Sequence, residues 1–108
     1  MRVAITFKPR PVLVVQSDFY NAQPRYNYLV IAPVHSLKAE DEARLRRVNY
    51  AADLVLESGE GGLPLPSVIF LNQLRTLHKN MAESLIGQLP SHRIEEMDAR
   101  LAFCLGLL

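Results

Sequence analysis

Short runs of β-branched and aliphatic residues, separated by proline, glycine and polar residues, recur along the chain up to residue 89. Apolar runs of this length between turn-forming residues are typical of β-strands. They predict six strands, at residues 3–7, 12–16, 28–36, 52–58, 67–77 and 84–89. The second run does not alternate with polar residues, which indicates a strand that is buried on both faces.

The connections between these runs carry their own signals. "KPRP" separates the first two strands, and Pro9 and Pro11 indicate a turn or a sheet edge because proline has no N–H group to donate. Residues 17–27 have the Asn, Asp and Pro chemistry of a hairpin loop, and residues 59–66 have the composition of a plain loop. Pro33 is expected to end or bulge the ladder of its strand.

Three segments have helical character. Residues 37–50 lack Gly and Pro but have a thin apolar stripe, so they predict either a short amphipathic helix or a mobile loop. Residues 78–83 predict a single helical turn. Ser91 is expected to cap a final helix that runs to about residue 106.

The final helix is apolar on two sides. One face carries Ile94, Met97, Leu101, Cys104, Leu105 and Leu108, and the opposite side carries Ala99, Phe103 and Leu107. One helix in a domain of this size rarely hides both stripes, so we expect the second stripe to contact another copy of the chain. The alternative is a single exposed Phe, which needs no partner.

Composition narrows the class of protein. The 108 residues suffice for one domain, and 49% hydrophobic with 21% charged residues is a globular balance. No apolar run approaches the roughly 18 residues of a membrane span, and the N-terminus lacks the cleavage site of a secretory signal. A single cysteine, Cys104, excludes an intramolecular disulfide and fits a reducing cytoplasm.

The net charge is only +1, so an anion site has to come from local clusters of cations. Candidates are Lys8, Arg10 and Arg25, then Arg44, Arg46 and Arg47, and then Arg75 and Lys79. In "KPRPVLVVQSDFYN" Arg10 precedes the second strand, and Gln16, Ser17 and Asp18 follow it. A purely structural strand needs neither feature. We therefore interpret this stretch as the border of a shallow site for a phosphate-bearing ligand, and we favour single-stranded RNA as that ligand.

Four ordered segments stand out together: "RPVLVVQSDFYN" (10–21), "LVIAPVHS" (29–36), "SVIFLNQLRTLHK" (67–79) and "RIEEMDARLAFCLGL" (93–107). They resemble the successive motifs of the MazF/PemK-type toxins, the ribosome-independent endoribonucleases of bacterial toxin–antitoxin pairs. The resemblance implies an α+β, mostly β fold: a small SH3-like bent β-barrel with a C-terminal helix, as one domain over residues 1–108. It further implies a cytoplasmic homodimer that is held in check by a MazE-like antitoxin.

The resemblance also implies a reaction. The family cleaves single-stranded RNA without a metal or other cofactor, using the substrate's 2′-OH to attack the adjacent phosphate and leaving a 2′,3′-cyclic phosphate. Its arginine maps onto Arg10, and its usual Thr–Ser pair maps onto His35–Ser36. Its substrate contacts map onto Ser67, Val68, Asn72, Gln73 and Asn21, and we add Gln16 from the polar cluster. The family's Gly-acidic first strand and long loop precede this arginine, whereas nine residues precede Arg10 here. We expect either a shortened strand and loop with a reduced RNA site, or a start of the sequence inside a longer reading frame.

Each candidate has a structural alternative. Arg10 offers a permanent fork of donors for phosphate oxygens, whereas a solvated charge at a strand end is the usual role of a surface arginine. An ordinary imidazole pKa near ~6.5 would let His35 act as an acid or base, against a purely structural histidine. Ser36 would donate to phosphate or serve the turn. Asn72 and Gln73 interrupt an apolar strand, and their amides would read base edges.

Four aromatic residues flank the first hairpin: Phe19, Tyr20, Tyr26 and Tyr28. They would stack on bases, or pack in the core or hairpin, and we expect packing for at least two of the four.

Other chemistries find little support. The three histidines are scattered without a Cys or carboxylate at ligand spacing, and "GEGG" lacks the Lys-Ser/Thr of a phosphate loop. Two alternatives to the nuclease remain: a catalytically weak RNA-binding relative, and a gyrase inhibitor of the related CcdB type. The gyrase inhibitors carry a Trp near the C-terminus, and this chain has none.

Overall fold

The computed structural model describes residues 3–7, 10–38, 40 and 52–107. Antiparallel strands and two α-helices make up most of this part of the chain. In chain order the elements are β1 Val3–Phe7, β2 Arg10–Val14, α1 Asp18–Asn21, β3 Tyr28–Ser36, β4 Asp53–Leu56, β5 Ser67–Phe70, β6 Arg75–His78, β7 Leu85–Gln88 and α2 Ser91–Cys104. The predicted fold class is therefore confirmed as α+β and mostly β.

The strands form one bent, antiparallel sheet in the order β4-β5-β3-β2-β1-β7. The nine-residue β3 is its central element, because it pairs with β2 on one edge and with both β6 and β5 on the other. Its partner on that second edge changes between Ile31, which pairs with Arg75, and Val34, which pairs with Ile69. Pro33 lies between these two ladders, and the ladder with β2 ends at Pro33, as predicted, whereas the strand itself continues to Ser36.

Both faces of β2 are buried, as its unalternating apolar run predicts. Leu13 belongs to the main core, while Val12 and Val14 belong to a second cluster on the opposite face of the sheet. The strand spans Arg10–Val14 and not residues 12–16, because Gln16 already lies in a bend.

Helix α2 closes the main core. Met97 is fully buried, and Ile94 and Leu101 pack against the same cluster, as their spacing predicts. Leu105 leaves this stripe, since the helix ends at Cys104 and Leu105 is 57% exposed. The prediction that Ser91 caps the helix is wrong: Pro90 takes the N-cap position and Ser91 begins the first turn.

Three predicted connections differ from the structure. Residues 67–77 form two strands joined by a tight turn, so Asn72 and Gln73 lie in the turn and not inside a strand. The predicted hairpin loop contains the short helix α1. Residues 79–81 form one turn of 3-10 helix, in agreement with the prediction, whereas the segment 37–50 falls mostly outside the described residues.

The opposite stripe of α2 remains exposed in this single chain. Phe103 is 64% and Leu107 is 73% accessible to solvent. The contact with another copy of the chain that we expect for this stripe stays a prediction. Among the described residues, no helix is long and apolar enough to cross a membrane.

Candidate functional site

A cleft of about 350 Å³ opens where β2 begins and β3 ends. Its polar wall carries Arg10, His35, Ser36 and Ser67. All three residues predicted to be catalytic therefore line one cleft, together with one of the predicted substrate contacts.

The register of the sheet explains why Arg10 and His35 meet. Val12 lies opposite Pro33, and side chains on neighbouring strands that face each other in this way point to the same side of a sheet. Two residues further along, Arg10 and His35 project from that same side. Both side chains are exposed. The guanidinium and the imidazole therefore lie on the same side of the sheet, and both line the cleft.

The ring of Phe70 lies against the imidazole of His35. Their ring centroids are 5.1 Å apart, with the planes tilted by 57°. Aromatic pairs at this separation add to stability beyond the area that they bury. Phe70 thus restricts the directions in which the His35 ring can turn.

Two serines occupy neighbouring strands at the base of the polar wall. Ser36 lies opposite Ser67, and Val68 lies opposite His35. The hydroxyl of Ser67 donates to the carbonyl of Leu65 at 2.8 Å, and this side chain is buried. Ser67 therefore helps to hold the loop before it, while the exposed hydroxyl of Ser36 faces the cleft.

The other wall of the cleft is apolar and consists of Leu63, Pro64 and Leu65. This wall belongs to the connection between β4 and β5, which the sequence presents as a plain loop. Two hydrogen bonds hold it: the backbone N–H of Gly59 donates to the carbonyl of Leu63 at 2.7 Å, and the side-chain hydroxyl of Ser58 donates to the carbonyl of Pro64 at 2.6 Å. The apolar wall is therefore preorganised, and Leu65 stands 57% exposed at its edge.

Ion pairs tie the same loop to helix α2. The Nε atom of Arg93 donates to both carboxylate oxygens of Glu60, at 2.9 and 3.0 Å, and its Nη1 atom donates to Glu96 at 2.7 Å. Glu96 also accepts from Arg100 at 2.9 Å. The hydrogen bond from Arg93 holds the pKa of Glu60 below its ordinary value, although burial opposes this change. Burial would raise the pKa of Glu96, but the two arginines outweigh it and the pKa is lowered.

These ion pairs predict how stability depends on pH. A lowered pKa means that the folded protein binds protons less readily than the unfolded chain, so the stabilisation is present above the unfolded value and is lost as pH falls through the folded value. We expect Glu60→Gln to reduce the free energy of unfolding by about 1–2 kcal/mol at neutral pH and to flatten the decline of stability below about pH 4.5.

Urea unfolding of both proteins across the acid range measures this effect. Glu95→Gln, at an exposed position of helix α2, is the matched control, and its stability should depend on pH as that of the wild type does. An acid decline in Glu60→Gln as steep as in the wild type would contradict the assignment.

Two predicted substrate residues, Gln16 and Asn21, lie elsewhere and contact each other. The Nε2 atom of Gln16 donates to Asn21 Oδ1 at 3.1 Å and to the carbonyl of Tyr28 at 2.9 Å, and Asn21 Nδ2 donates to the carbonyl of Gln16 at 3.0 Å. The Gln16 side chain is buried. This reciprocal amide pair joins α1 to the first residue of β3, at the end of the strand away from the cleft.

The remaining predicted contacts lie around β5. Val68 is buried. Asn72 and Gln73 are exposed in the turn after Phe70, and the N–H of Gln73 donates to the Phe70 carbonyl at 3.2 Å. This bond joins the turn to the backbone of Phe70, the residue whose ring contacts His35.

Sequence reasoning missed the apolar wall and Phe70. A signal for the wall exists, because "LPLP" places two leucines in a loop whose prolines limit its flexibility. No comparable signal marks Phe70, since its contact with His35 depends on strands brought together by the fold.

A family model and the most similar relatives agree with this architecture. The model of the PemK-like, MazF-like toxins of type II toxin–antitoxin systems matches residues 5–105. The protein named endoribonuclease MazF from Staphylococcus saprophyticus subsp. saprophyticus is 29% identical over 98 residues, which is 91% of this chain and 74% of that protein.

Solved structures show the same fold. The Mycobacterium tuberculosis toxin MazF-mt6 superposes with a TM-score of 0.74 at 16% identity, covering 99% of this chain and 97% of that one. The crystal structure of MazE–MazF from Deinococcus radiodurans gives a TM-score of 0.70 at 21% identity, covering 98% and 94%. Since the family model spans nearly the whole domain, the chain belongs to the PemK-like, MazF-like toxins of type II toxin–antitoxin systems.

Proposed function

We propose that this toxin is an endoribonuclease that cleaves single-stranded RNA in the cleft, without a metal, by attack of a ribose 2′-OH on the adjacent phosphorus. The observation that carries the proposal is the meeting of Arg10, His35 and Ser36 on one wall of the cleft. The name of the Staphylococcus saprophyticus relative, endoribonuclease MazF, supports the same activity.

The reaction requires charge stabilisation and two proton transfers. The 2′ oxygen forms a bond to phosphorus, the bond from phosphorus to the 5′ oxygen breaks, and the products carry a 2′,3′-cyclic phosphate and a free 5′-OH. The pentacovalent phosphorane between them has more negative charge on its oxygens than the starting diester. Arg10 would donate to those oxygens through its planar fork, which matches the geometry of phosphate.

His35 is the candidate for proton transfer. An imidazole accepts a proton from the attacking hydroxyl or delivers one to the leaving 5′ oxygen at neutral pH, which a threonine at this position would not do. The ring of Phe70 would keep it in the required orientation. Ser36 would donate a hydrogen bond to a phosphate oxygen from the neighbouring position.

The residues around the cleft would bind the nucleotides on either side. The apolar wall with exposed Leu65 offers a surface for a base or ribose. Ser67 and Val68 would shape the floor beneath His35 and Ser36. The exposed amides of Asn72 and Gln73 would read base edges, because an amide both donates and accepts.

We extend the proposal to the toxin's partners. A MazE-like antitoxin would hold the toxin inactive in the cytoplasm, and the solved MazE–MazF complex of Deinococcus radiodurans supports such a partner. The exposed stripe of Phe103 and Leu107 would bring two copies together as a homodimer.

Cleavage of a long unstructured transcript in EDTA tests the proposal. We expect endonucleolytic products at an undiminished rate, with 3′ ends that resist a polymerase until a phosphatase removes the cyclic phosphate after mild acid opening. His35→Ala should lower kcat by about 100- to 10,000-fold, which is the usual contribution of a general acid or base. RNA binding without any cleavage product would favour the weak RNA-binding relative, and products with free 3′-OH groups would contradict the 2′-OH mechanism.

A further inference from the structure

Four aromatic residues and one histidine form a continuous series of ring contacts on the surface, which we call the aromatic ladder. Its members are Phe19, Tyr20, Tyr26, Tyr28 and His78. Successive ring centroids lie 5.2, 5.1, 6.1 and 5.6 Å apart, and three of the four contacts are edge-to-face. The ladder runs from helix α1, across the turn before β3, to the end of β6.

The ladder contributes little to the core. Phe19 is 66% exposed, and Tyr20, Tyr26 and Tyr28 are 48%, 38% and 49% exposed. We expected packing in the core or in the hairpin for at least two of these four rings; none of them packs in the core, and they contact one another along the hairpin segment. Half of the chain's eight phenylalanines and tyrosines lie in this one exposed group, and clustered exposed aromatic rings mark binding surfaces.

Polar bonds hold the backbone that carries the ladder. The Nζ atom of Lys79 donates to the carbonyls of Tyr20, Asn21 and Gln23, at 3.2, 3.2 and 3.0 Å. The amide pair of Gln16 and Asn21 fixes the same segment to β3. A ligand would therefore meet rings that are already in place and would cost less entropy to bind.

The surroundings of the rings favour nucleic acid over a protein partner. Residues 17–28 contain no Leu, Ile, Val or Met; the rings alternate with amides, Ser17, Asp18 and Arg25. Protein interfaces surround their aromatic anchors with other apolar side chains and Met at the buried centre. Rings among polar groups, with a guanidinium nearby, are typical of surfaces that stack single-stranded bases. The charges of Arg25 and Lys79 exceed that of Asp18, which suits a phosphate backbone.

We propose that the aromatic ladder is a second binding surface for single-stranded RNA, outside the cleft, on which unpaired bases stack. The proposal rests on the proposed function for the identity of the ligand. Tyr28 begins β3 and Ser36 ends it, so the ladder and the cleft are up to about 26 Å apart along the strand. At about 3.4 Å per nucleotide, about 8 stacked nucleotides would span that distance.

Binding of a fluorescent 2′-O-methyl RNA of mixed sequence and about 12 nucleotides tests the ladder, because this probe has no 2′-OH and cannot be cleaved. Tyr26→Leu and Tyr28→Leu should each raise the Kd at least about fivefold, the lower limit for one lost base stack. Tyr26→Phe keeps the ring and should stay within about twofold of the wild type. Since the chain has no Trp and three of its four tyrosines are in the ladder, RNA should also quench its tyrosine fluorescence.

Salt dependence separates stacking from charge. Arg25→Ala should reduce the slope of log Kd against log salt concentration by about 0.7 if it contacts one phosphate, whereas Tyr26→Leu should leave the slope unchanged. Leu85→Ala is the matched control, because Leu85 is 70% exposed, much as Phe19 is, but lies on β7, outside the cleft and outside the stripe of Phe103 and Leu107. It should bind the probe like the wild type.

The outcomes separate the two proposals. An unchanged Kd in both Tyr→Leu variants, or an equal loss in Leu85→Ala, overturns the ladder as an RNA surface. A change in sedimentation of the RNA-free Tyr26→Leu protein with unchanged RNA affinity overturns it in favour of a protein contact. Ladder-dependent binding by a wild-type protein that never cleaves RNA would support the ladder and overturn the nuclease.

Discussion

Replacing Arg10 with alanine should lower kcat for RNA cleavage by about 100- to 1,000-fold. Arg10 is the guanidinium on the polar wall of the cleft, and it projects from the same side of the sheet as His35. One preorganised donor to a developing oxyanion contributes about this much to a rate. KM should change less than kcat, because the arginine meets its full charge only in the phosphorane. Initial rates on a transcript of defined length measure both constants.

Two further substitutions serve as comparisons for Arg10→Ala. Arg10→Lys keeps the charge but loses the planar fork, so we expect activity between that of the wild type and of Arg10→Ala. Arg75 begins β6 as Arg10 begins β2, and it is likewise exposed, so Arg75→Ala is the matched control. Cleavage by Arg10→Ala at the wild-type rate would remove the proposed mechanism and leave the fold assignment untouched.

Replacing Gly87 with alanine should destabilise the protein by about 3–4 kcal/mol and lower its Tm by more than about 10 °C. Gly87 lies in β7 opposite Ala4, where the loop before the apolar wall crosses the strand. A Cβ atom at Gly87 would collide with the carbonyl of Gly61 and with the Cα of Gly62 at 2.9 Å. Backbone atoms on both sides leave no flexible side chain to move away, so either β7 or the loop has to shift.

Gly106→Ala isolates the steric part of this effect. Gly106 has a φ of +73°, yet a Cβ atom there would meet nothing within 4 Å. Only the left-handed backbone is strained by this change, which costs about 1 kcal/mol. Thermal melts of the two variants should therefore differ clearly, and a Gly87→Ala protein as stable as Gly106→Ala would contradict the close approach. Any folded Gly87→Ala protein should also cleave RNA poorly, because Leu63–Leu65 follow the displaced segment.

Most of the strands could be predicted, because the residues that face the apolar core appear in the sequence as short apolar runs. The failures are local and have physical reasons. "FLNQLRTL" lacks Gly and Pro, so Asn72 and Gln73 are the only residues in it that indicate the turn between β5 and β6. The four aromatic residues near α1 belong to types that often pack in a core, yet all four are exposed. Residues distant in the sequence decide whether such a ring is covered.

The residues of the candidate site could likewise be predicted only in part. Arg10, His35 and Ser36 could be selected from residue chemistry and from resemblance to the family, since a guanidinium, an imidazole and a hydroxyl carry their reactivity wherever they lie. Gln16 and Asn21 were selected on the same grounds, but the structure pairs their amides with each other. Whether a polar side chain is available to a ligand depends on its neighbours in space.

The amino-acid sequence alone determined the order of the strands along the chain, the buried face of α2 and the chemical types of the candidate residues, because hydrophobic spacing and functional groups are local properties. The tertiary structure decided which of those groups share a cleft, that a loop between β4 and β5 forms its apolar wall, and that four exposed aromatic rings and His78 form the aromatic ladder. Those outcomes depend on strand register and on the bend of the sheet. Both arise from contacts between residues far apart in the chain, which no local pattern records.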